Sequence, residues 1–206
     1  MQDLVRKDKQ EELSSRDFPY LEFDIQETQD GQLVVFHDGS LVRAFPRGGV
    51  NEVPVQQLSQ AGIDFELASI QDLTASQLQT LHIAGRQGLR VPLLRDFLRA
   101  CKDAGIGRSL AIEVKLLISD TGRQQLIDDI RWYLEACSAE LDASKIAHRK
   151  YAPLGWAGVI AFPHFFAKSF GEFGSPQWRR WAQEFHLNGI KARACHFHDL
   201  SLIYMP

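Results

Sequence analysis

Cysteine is scarce in this chain, and the three present, Cys101, Cys137 and Cys195, are an odd number at wide spacing with no Cys-x-x-Cys pair. That excludes a disulfide framework and fits reduced thiols in a cytoplasmic protein. Long hydrophobic runs are missing too. No stretch of about 18 apolar residues occurs, so no membrane-spanning helix is expected. The opening MQDLVRKDKQEELSSRD is too charged for a secretory signal. Nor does one sign of charge dominate. Lys and Arg number 23 against 26 Asp and Glu, a net of -3. Without a basic field, nucleic acid and anionic membranes are poor partners, and small molecules are the expected ligands.

What is there is a chain of 206 residues, 45% hydrophobic, enough for one good core and the edge of a second. Residues 1 to 17 are polar and unpatterned and read as an N-terminal arm, leaving 18 to 206 as a single domain. Residues 20 to 28 and 33 to 38 alternate as strands do, with the tight-turn signal Asp30-Gly31 between them. From 46 to 72, Gly, Pro and single apolar residues mix without a sustained period. This segment reads as an inserted loop or small lobe.

Thr74 with Gln77 three residues later is a capping box opening a short helix. In VPLLRDFLRACKDAG, Pro92 suits a first helical turn, Leu94, Leu98 and Cys101 form an apolar stripe, and Gly105 ends the helix. RSLAIEVKLL is a strand that sends Leu110, Ile112 and Val114 to one face and Ala111, Glu113 and Lys115 to the other. Leu126, Ile127, Ile130 and Leu134 mark an amphipathic helix after it. GWAGVIAFP reads as a buried strand, SPQWRRWAQEFH as a helix capped by Ser175 with Pro176 at its first position, and GIKARACHF as the last of five strands. Such alternation of strand and helix is the pattern of a parallel α/β architecture.

Charge on a half-buried strand is costly unless it is paired or bound to metal. Glu22 and Asp24 share one strand face, and Leu33, Val35 and His37 share another. In a parallel barrel the C-terminal strand ends form the active site. There Glu22, Asp24 and Glu113 supply three carboxylates, hard oxygen donors suited to calcium or magnesium rather than zinc. His37 stands beside them as an acid or base, and Lys115 meets the negative charge of a substrate. Plainer roles are open to each residue: carboxylates facing solvent on an edge strand, a hydrogen-bonded structural histidine, a Glu113–Lys115 ion pair. His196 and His198 share a strand face but lack a further ligand cluster, and read as a polar strand end. Trp178 and Trp181, three apart on a helix, read as packing.

The stretch LEFDIQETQDGQLVVFHDGSLVR resembles the signature of the glycerophosphodiester phosphodiesterase family. In that signature a Glu-x-Asp strand leads through Thr-x-Asp-Gly to a strand ending in His-Asp, with an arginine soon after. The matching residues are Glu22 and Asp24, Thr28, Asp30 and Gly31, His37 and Asp38, and Arg43. DLTASQLQTL, VPLLRDFL and IEVK follow in the family's order, so that the resemblance covers about residues 20 to 116.

The resemblance implies a TIM-type (β/α) barrel, incomplete or divergent, that hydrolyses glycerophosphodiesters to glycerol 3-phosphate and an alcohol. It implies a divalent cation, calcium or magnesium, held by Glu22, Asp24 and Glu113. It also implies His37 as one of two catalytic histidines, Lys115 as the residue that steadies the phosphoryl charge, and Lys115 and Arg43 as substrate contacts. The family's opening His-Arg-Gly and Glu-Asn-Thr segments have no counterpart here. No histidine occurs in residues 1 to 19, and KIAHRKYAPLG, with His148, follows Glu113 and lacks the glycine. Two functions are therefore expected to compete: a working metal-dependent phosphodiesterase, and a catalytically weak or inactive remnant that binds or interacts. An incomplete barrel also exposes sheet edges, which makes self-association an expectation.

Overall fold

The structure is a computed structural model that describes residues 20–104, 109–139, 157–161 and 163–194. Strand β1 (Tyr20–Glu27) turns back into β2 (Leu33–Val35) and pairs with it antiparallel. The turn is built by its own side chains. Thr28 N donates to the Gln32 carbonyl at 2.9 Å, the Thr28 hydroxyl donates to Asp30 Oδ1 at 2.6 Å, and Gly31 takes φ +78°, which a side chain would resist. Asp30 Oδ1 also accepts from Ala75 N at 2.8 Å, so the turn caps a distant helix as well as closing the hairpin.

β3 (Ser109–Leu116), β4 (Ala157–Ala161) and β5 (Ile190–Ala194) add to β1 in parallel, giving the order β2-β1-β3-β4-β5. The five described strands are the five read from the sequence. Four of them form the parallel run expected of a (β/α) barrel wall. The register sets Asp24 opposite Glu113 and Glu22 opposite Ala111. It slips by one residue between Ile25, opposite Val114, and Gln26, opposite Leu116. Lys115 is the extra residue of that bulge, the device by which strands near functional sites re-aim a side chain.

Helices cover one face of this sheet. Of the six described, α1 (Glu52–Gln60) and α2 (Ala75–Leu78) belong to the segment after β2, and α3 (Leu94–Asp103) leads into β3. α4 (Asp120–Ala139), α5 (Pro163–Phe170) and α6 (Pro176–Leu187) follow. Phe23, Ile25, Ile112 and Val114 pack against Leu94, Leu98, Cys101, Leu126, Ile127 and Ile130, all buried, as the stripes predict. Leu134 is half-buried at the edge of that core. Trp181 is buried beneath the Arg180 and Arg123 guanidiniums, and Trp178 lies tilted against Phe173, so both tryptophans pack. The Ser175 cap and Pro176 open α6 as read, with Ser175 Oγ accepting from Trp178 N.

A second apolar cluster, including Phe45, Leu58, Phe65, Ile70, Leu78 and Val91, fills the region after β2. Residues 46 to 72 are not a bare loop: α1 lies within them, and only its Val55 and Leu58 are buried, too narrow a stripe to show as a period. Asn51, fully buried, pins this lobe. Its Nδ2 donates to the Pro46 and His82 carbonyls, and its Oδ1 accepts from His82 N.

Two boundaries differ from the sequence reading. β2 stops at Val35, and His37 lies beyond it: the Phe36 amide still reaches the Asp24 carbonyl at 3.0 Å, then the chain leaves the sheet. Pro92 lies ahead of α3 rather than in its first turn. Its carbonyl accepts from Val35 N at 3.0 Å, and that strand-like contact holds it extended while the helix starts at Leu94. Gly105 lies outside the described residues, as do the arm at 1 to 17, His148, His196 and His198.

Glu27 ends β1 and is almost fully buried. Its carboxylate accepts from Ile118 N at 2.5 Å, Ser119 N at 3.0 Å and the Ser119 hydroxyl, and so satisfies the amides that lead into α4. Gly122, on the first turn of α4, leaves room for it: a Cβ there would fall 2.5 Å from Glu27 Cδ. Gly122→Ala should therefore destabilise the fold. Helix propensity favours alanine by about 1 kcal/mol, but overpacking against a fixed carboxylate costs roughly 1–3 kcal/mol, and denaturant unfolding should show a net loss. A stabilised variant would mean that Glu27 moves freely.

Candidate active site

The face of the sheet opposite the helices carries the charge. Alternation sends Leu21, Phe23 and Ile25 toward the main core, which leaves Glu22, Asp24 and Gln26 on the other side. Parallel pairing then brings Glu113 beside Asp24. One carboxylate oxygen from each of Glu22, Asp24 and Glu113 lies within 4.8 Å of the others. These residues stand in mid-strand rather than at the strand ends. The end of β1 is Glu27, whose carboxylate serves structure.

Lys115 closes the group. Its ammonium is 2.5 Å from Glu113 Oε1 and 3.0 Å from Asp24 Oδ1, with 13% of its side chain exposed, so this is a shielded ion pair rather than a surface one. Burial alone would lower the Lys115 pKa, but the Glu113 and Asp24 carboxylates outweigh it and the pKa is raised. Asp24 Oδ1 is buried and lies 3.0 Å from the ammonium. Glu22 is exposed and nearer the cleft. Burial of its carboxyl, then the negative charges of Asp24 and Glu113, raise its pKa above the ordinary carboxylate value. One lysine does not balance three acids. A divalent cation would, and three hard oxygens at this spacing match a single ion with oxygen ligands at about 2.3–2.6 Å.

A cleft of about 500 Å³ opens beside Glu22 and Asp24. His37, Asp38 and Arg43 stand on its polar side, and Phe36, Ala44, Ile83 and Ala84 form its apolar wall. Among the described residues, His37 is the only histidine lining it. Its Nδ1 lies 2.9 Å from Asp38 Oδ1, close enough for Nδ1–H to donate to the carboxylate and leave Nε2 facing away from it. Arg43 grips the same carboxylate twice, Nε to Oδ2 at 2.9 Å and Nη2 to Oδ1 at 2.7 Å. Desolvation opposes ionisation of Asp38, but the hydrogen bonds and charges of His37 and Arg43 prevail, and its pKa falls below the usual range. Arg43, expected as a substrate contact, thus has Asp38 as its partner, with 78% of its side chain exposed at the cleft mouth.

Gln26 is the part of this arrangement that sequence reasoning missed. It is buried, and its Nε2 donates to the Phe36 carbonyl at 3.0 Å and the Asp38 carbonyl at 2.9 Å, so it holds the segment that carries His37. The alternation that singled out Glu22 and Asp24 continues to Gln26 and was the available signal. At the rim, Ala84 adopts φ +52° and ψ +26°, a left-handed conformation sustained by the hydrogen bond its N–H donates to the Ala44 carbonyl at 2.7 Å.

No helix among the described residues is long and apolar enough to cross a membrane. No curated protein sequence matches the chain. Among solved structures, it is similar to a glycerophosphodiester phosphodiesterase from Agrobacterium tumefaciens at 15% identity, covering 91% of this chain and 86% of that one with a TM-score of 0.43. A glycerophosphoryl diester phosphodiesterase domain from Mycobacterium tuberculosis matches at 12% identity over 95% of this chain and 54% of that one, TM-score 0.43. An Oleispira antarctica phosphodiesterase, solved with the product sn-glycerol-3-phosphate, matches at 15% identity over 85% and 80%, TM-score 0.34. The sequence profile of the glycerophosphoryl diester phosphodiesterase family matches residues 13–132, more than half of the chain, and places it in that family of phosphodiester hydrolases.

Proposed function

We propose that the chain hydrolyses glycerophosphodiesters to glycerol 3-phosphate and an alcohol, with a divalent cation, calcium or magnesium, held by Glu22, Asp24 and Glu113. The observation that carries this reading is the β1–β3 register, which gathers three acidic oxygens within 4.8 Å of one another beside Lys115 and the His37 cleft. When bound, such a cation supplies a fixed positive charge for a phosphate oxygen and for the charge that develops at phosphorus. Lys115 contributes a second positive charge to the phosphoryl group. His37, oriented through Nδ1 by Asp38, keeps Nε2 for a proton of the attacking or departing oxygen. Arg43 holds the Asp38 carboxylate in place and, at the cleft mouth, meets the anionic substrate. Residence in the cytoplasm belongs to the same reading, on the grounds of few, widely spaced thiols.

A second reading, a weak or inactive binding protein, is favoured by the cleft itself: among the described residues His37 is the only histidine that lines it. Release of glycerol 3-phosphate from glycerophosphocholine, assayed with calcium, magnesium or chelator, separates the two. Turnover that depends on the ion and falls about a hundredfold or more in both Glu22→Ala and His37→Ala supports hydrolysis. Absence of turnover in the wild type favours the binding protein.

Asp38→Asn removes the charge that orients His37 and that Arg43 grips twice. Stability should fall by about 1 kcal/mol, while kcat drops by a smaller factor than in His37→Ala and KM stays near its wild-type value. An unchanged kcat would strip Asp38 of that role.

The raised pKa of Glu22 has a consequence for stability. Between the unfolded and folded values the folded chain binds more protons than the unfolded one, so stability falls as pH rises through that window. At neutral pH in chelator, Glu22→Gln should therefore melt above the wild type, and the gap should close at acidic pH. The variant should also lose the ion-induced rise in Tm. A variant melting lower than the wild type in neutral chelator would contradict this.

A further inference from the structure

We propose that the apolar wall of the cleft is a preformed subsite for the alcohol arm of the diester, and that it selects a short alkyl or single-ring alcohol over a polyhydroxylated one. This inference rests on the hydrolytic reading above and names the substrate class of that same site.

Phe36, Ala44, Ile83 and Ala84 build the wall and line the same cleft as Glu22, Asp24 and His37. None of the four side chains carries a polar atom, so what the wall can offer a ligand depends on its backbone. Every N–H of the four is already committed. Phe36 N donates to the Asp24 carbonyl at 3.0 Å, Ala44 N to Leu41 at 3.1 Å, Ile83 N to Leu89 at 2.8 Å and Ala84 N to Ala44 at 2.7 Å. Three of the carbonyls are engaged as well: that of Phe36 accepts from Gln26 Nε2, that of Ala44 from Ala84 N and that of Ile83 from Arg86 N. The wall therefore presents hydrocarbon with no spare donor. A hydroxyl pressed against it gives up hydrogen bonds to water without replacing them, whereas an alkyl group gains by being buried.

The surface is also fixed before a ligand arrives. Phe36 stacks on the fully buried Phe45, with ring centroids 5.6 Å apart. The Ala84–Ala44 hydrogen bond joins the two wall segments, and Asn51 ties them a second time by donating to the Pro46 and His82 carbonyls. A subsite ordered in advance loses little entropy when it is filled.

Polar chemistry on the other side of the cleft decides which arm goes where. The glycerol hydroxyls need polar partners and find them among the carboxylates and the cation they would hold, which leaves the remaining ester arm for the wall. A cleft of about 500 Å³ suits glycerol phosphate with an arm of a few carbons or one ring, and does not enclose a long acyl chain.

Two measurements on the full chain test this. The first is calorimetric binding, with calcium present, of glyceryl butylphosphonate and glyceryl 3,4-dihydroxybutylphosphonate, whose P–C arm cannot be released and which differ only by two hydroxyls. The butyl compound should bind about tenfold more tightly. Ile83→Ala should shrink that preference several-fold, and Ala44→Ser, which adds a hydroxyl to the wall at a second position, should shrink it too. The second measurement is kcat/KM of the wild type for the glycerol phosphate diesters of butanol and of glycerol, where the same preference is expected. Equal binding of the two phosphonates, tighter binding of the dihydroxy compound, or binding of neither overturns the subsite. A butyl preference unchanged in both variants overturns its assignment to this wall. Hydrolysis of both diesters at equal kcat/KM overturns the selectivity and leaves the hydrolytic reading standing. A butyl preference in binding that both variants weaken, with neither diester hydrolysed, upholds the subsite and overturns the hydrolytic reading instead.

Discussion

The parallel pairing of β1 with β3 is the constraint on which everything else rests. A slip of one residue in that ladder would turn Glu22 and Asp24 toward the helices and bring Phe23 into the cleft, since side chains alternate faces along a strand. The register is therefore held at both levels of the structure. Below, Phe23, Ile25, Ile112 and Val114 are buried against α3 and α4, so the apolar face permits only one phase. At the far end, the Glu27 carboxylate joins β1 to the amides that begin α4 and ties the two strands to one helix start. The acidic cluster is thus a by-product of a hydrophobic decision made on the opposite face of the same strands.

Holding three carboxylates together costs the fold something, and the structure shows where the cost is met. Lys115 neutralises part of the charge, the exposure of Glu22 lets water screen another part, and the raised pKa of Glu22 records what is left over. A cluster optimised for stability alone would carry fewer acids or more cations. Excess negative charge beside an open cleft is instead a store of affinity for a positive ligand, the usual trade between function and stability at such sites.

Much of this was legible in the sequence because the signals were local. The apolar stripes of α3 and α4, the Thr74–Gln77 and Ser175–Pro176 starts, and the alternation around Glu22, Asp24 and Glu113 each depend on neighbours a few residues away. What escaped depends on partners far along the chain. Glu27 finds its donors 91 and 92 residues later, and Asn51 bonds to His82 at a separation of 31. No periodicity announces a buried polar residue of that kind. The helix α1 escaped for a different reason: a lobe with its own small core needs only two buried residues from it, and two positions make no pattern. His37 read as part of a strand because its spacing from Val35 fits one, whereas the chain has already left the sheet when it reaches the histidine.

The Thr28-Asp30-Gly31 turn belongs to the most recognisable part of the chain, yet it touches no reacting group. Its hydroxyl, carboxylate and left-handed glycine close a hairpin and cap α2. Selection for a foldable polypeptide would preserve those three residues after every trace of chemistry had been lost. The trio His37, Asp38 and Arg43 lies outside both apolar cores, so packing constrains it less than it constrains the turn. Divergence among relatives of this chain would therefore run at two rates: the turn would change at the pace the scaffold allows, and the trio at the pace set by whatever binds in the cleft.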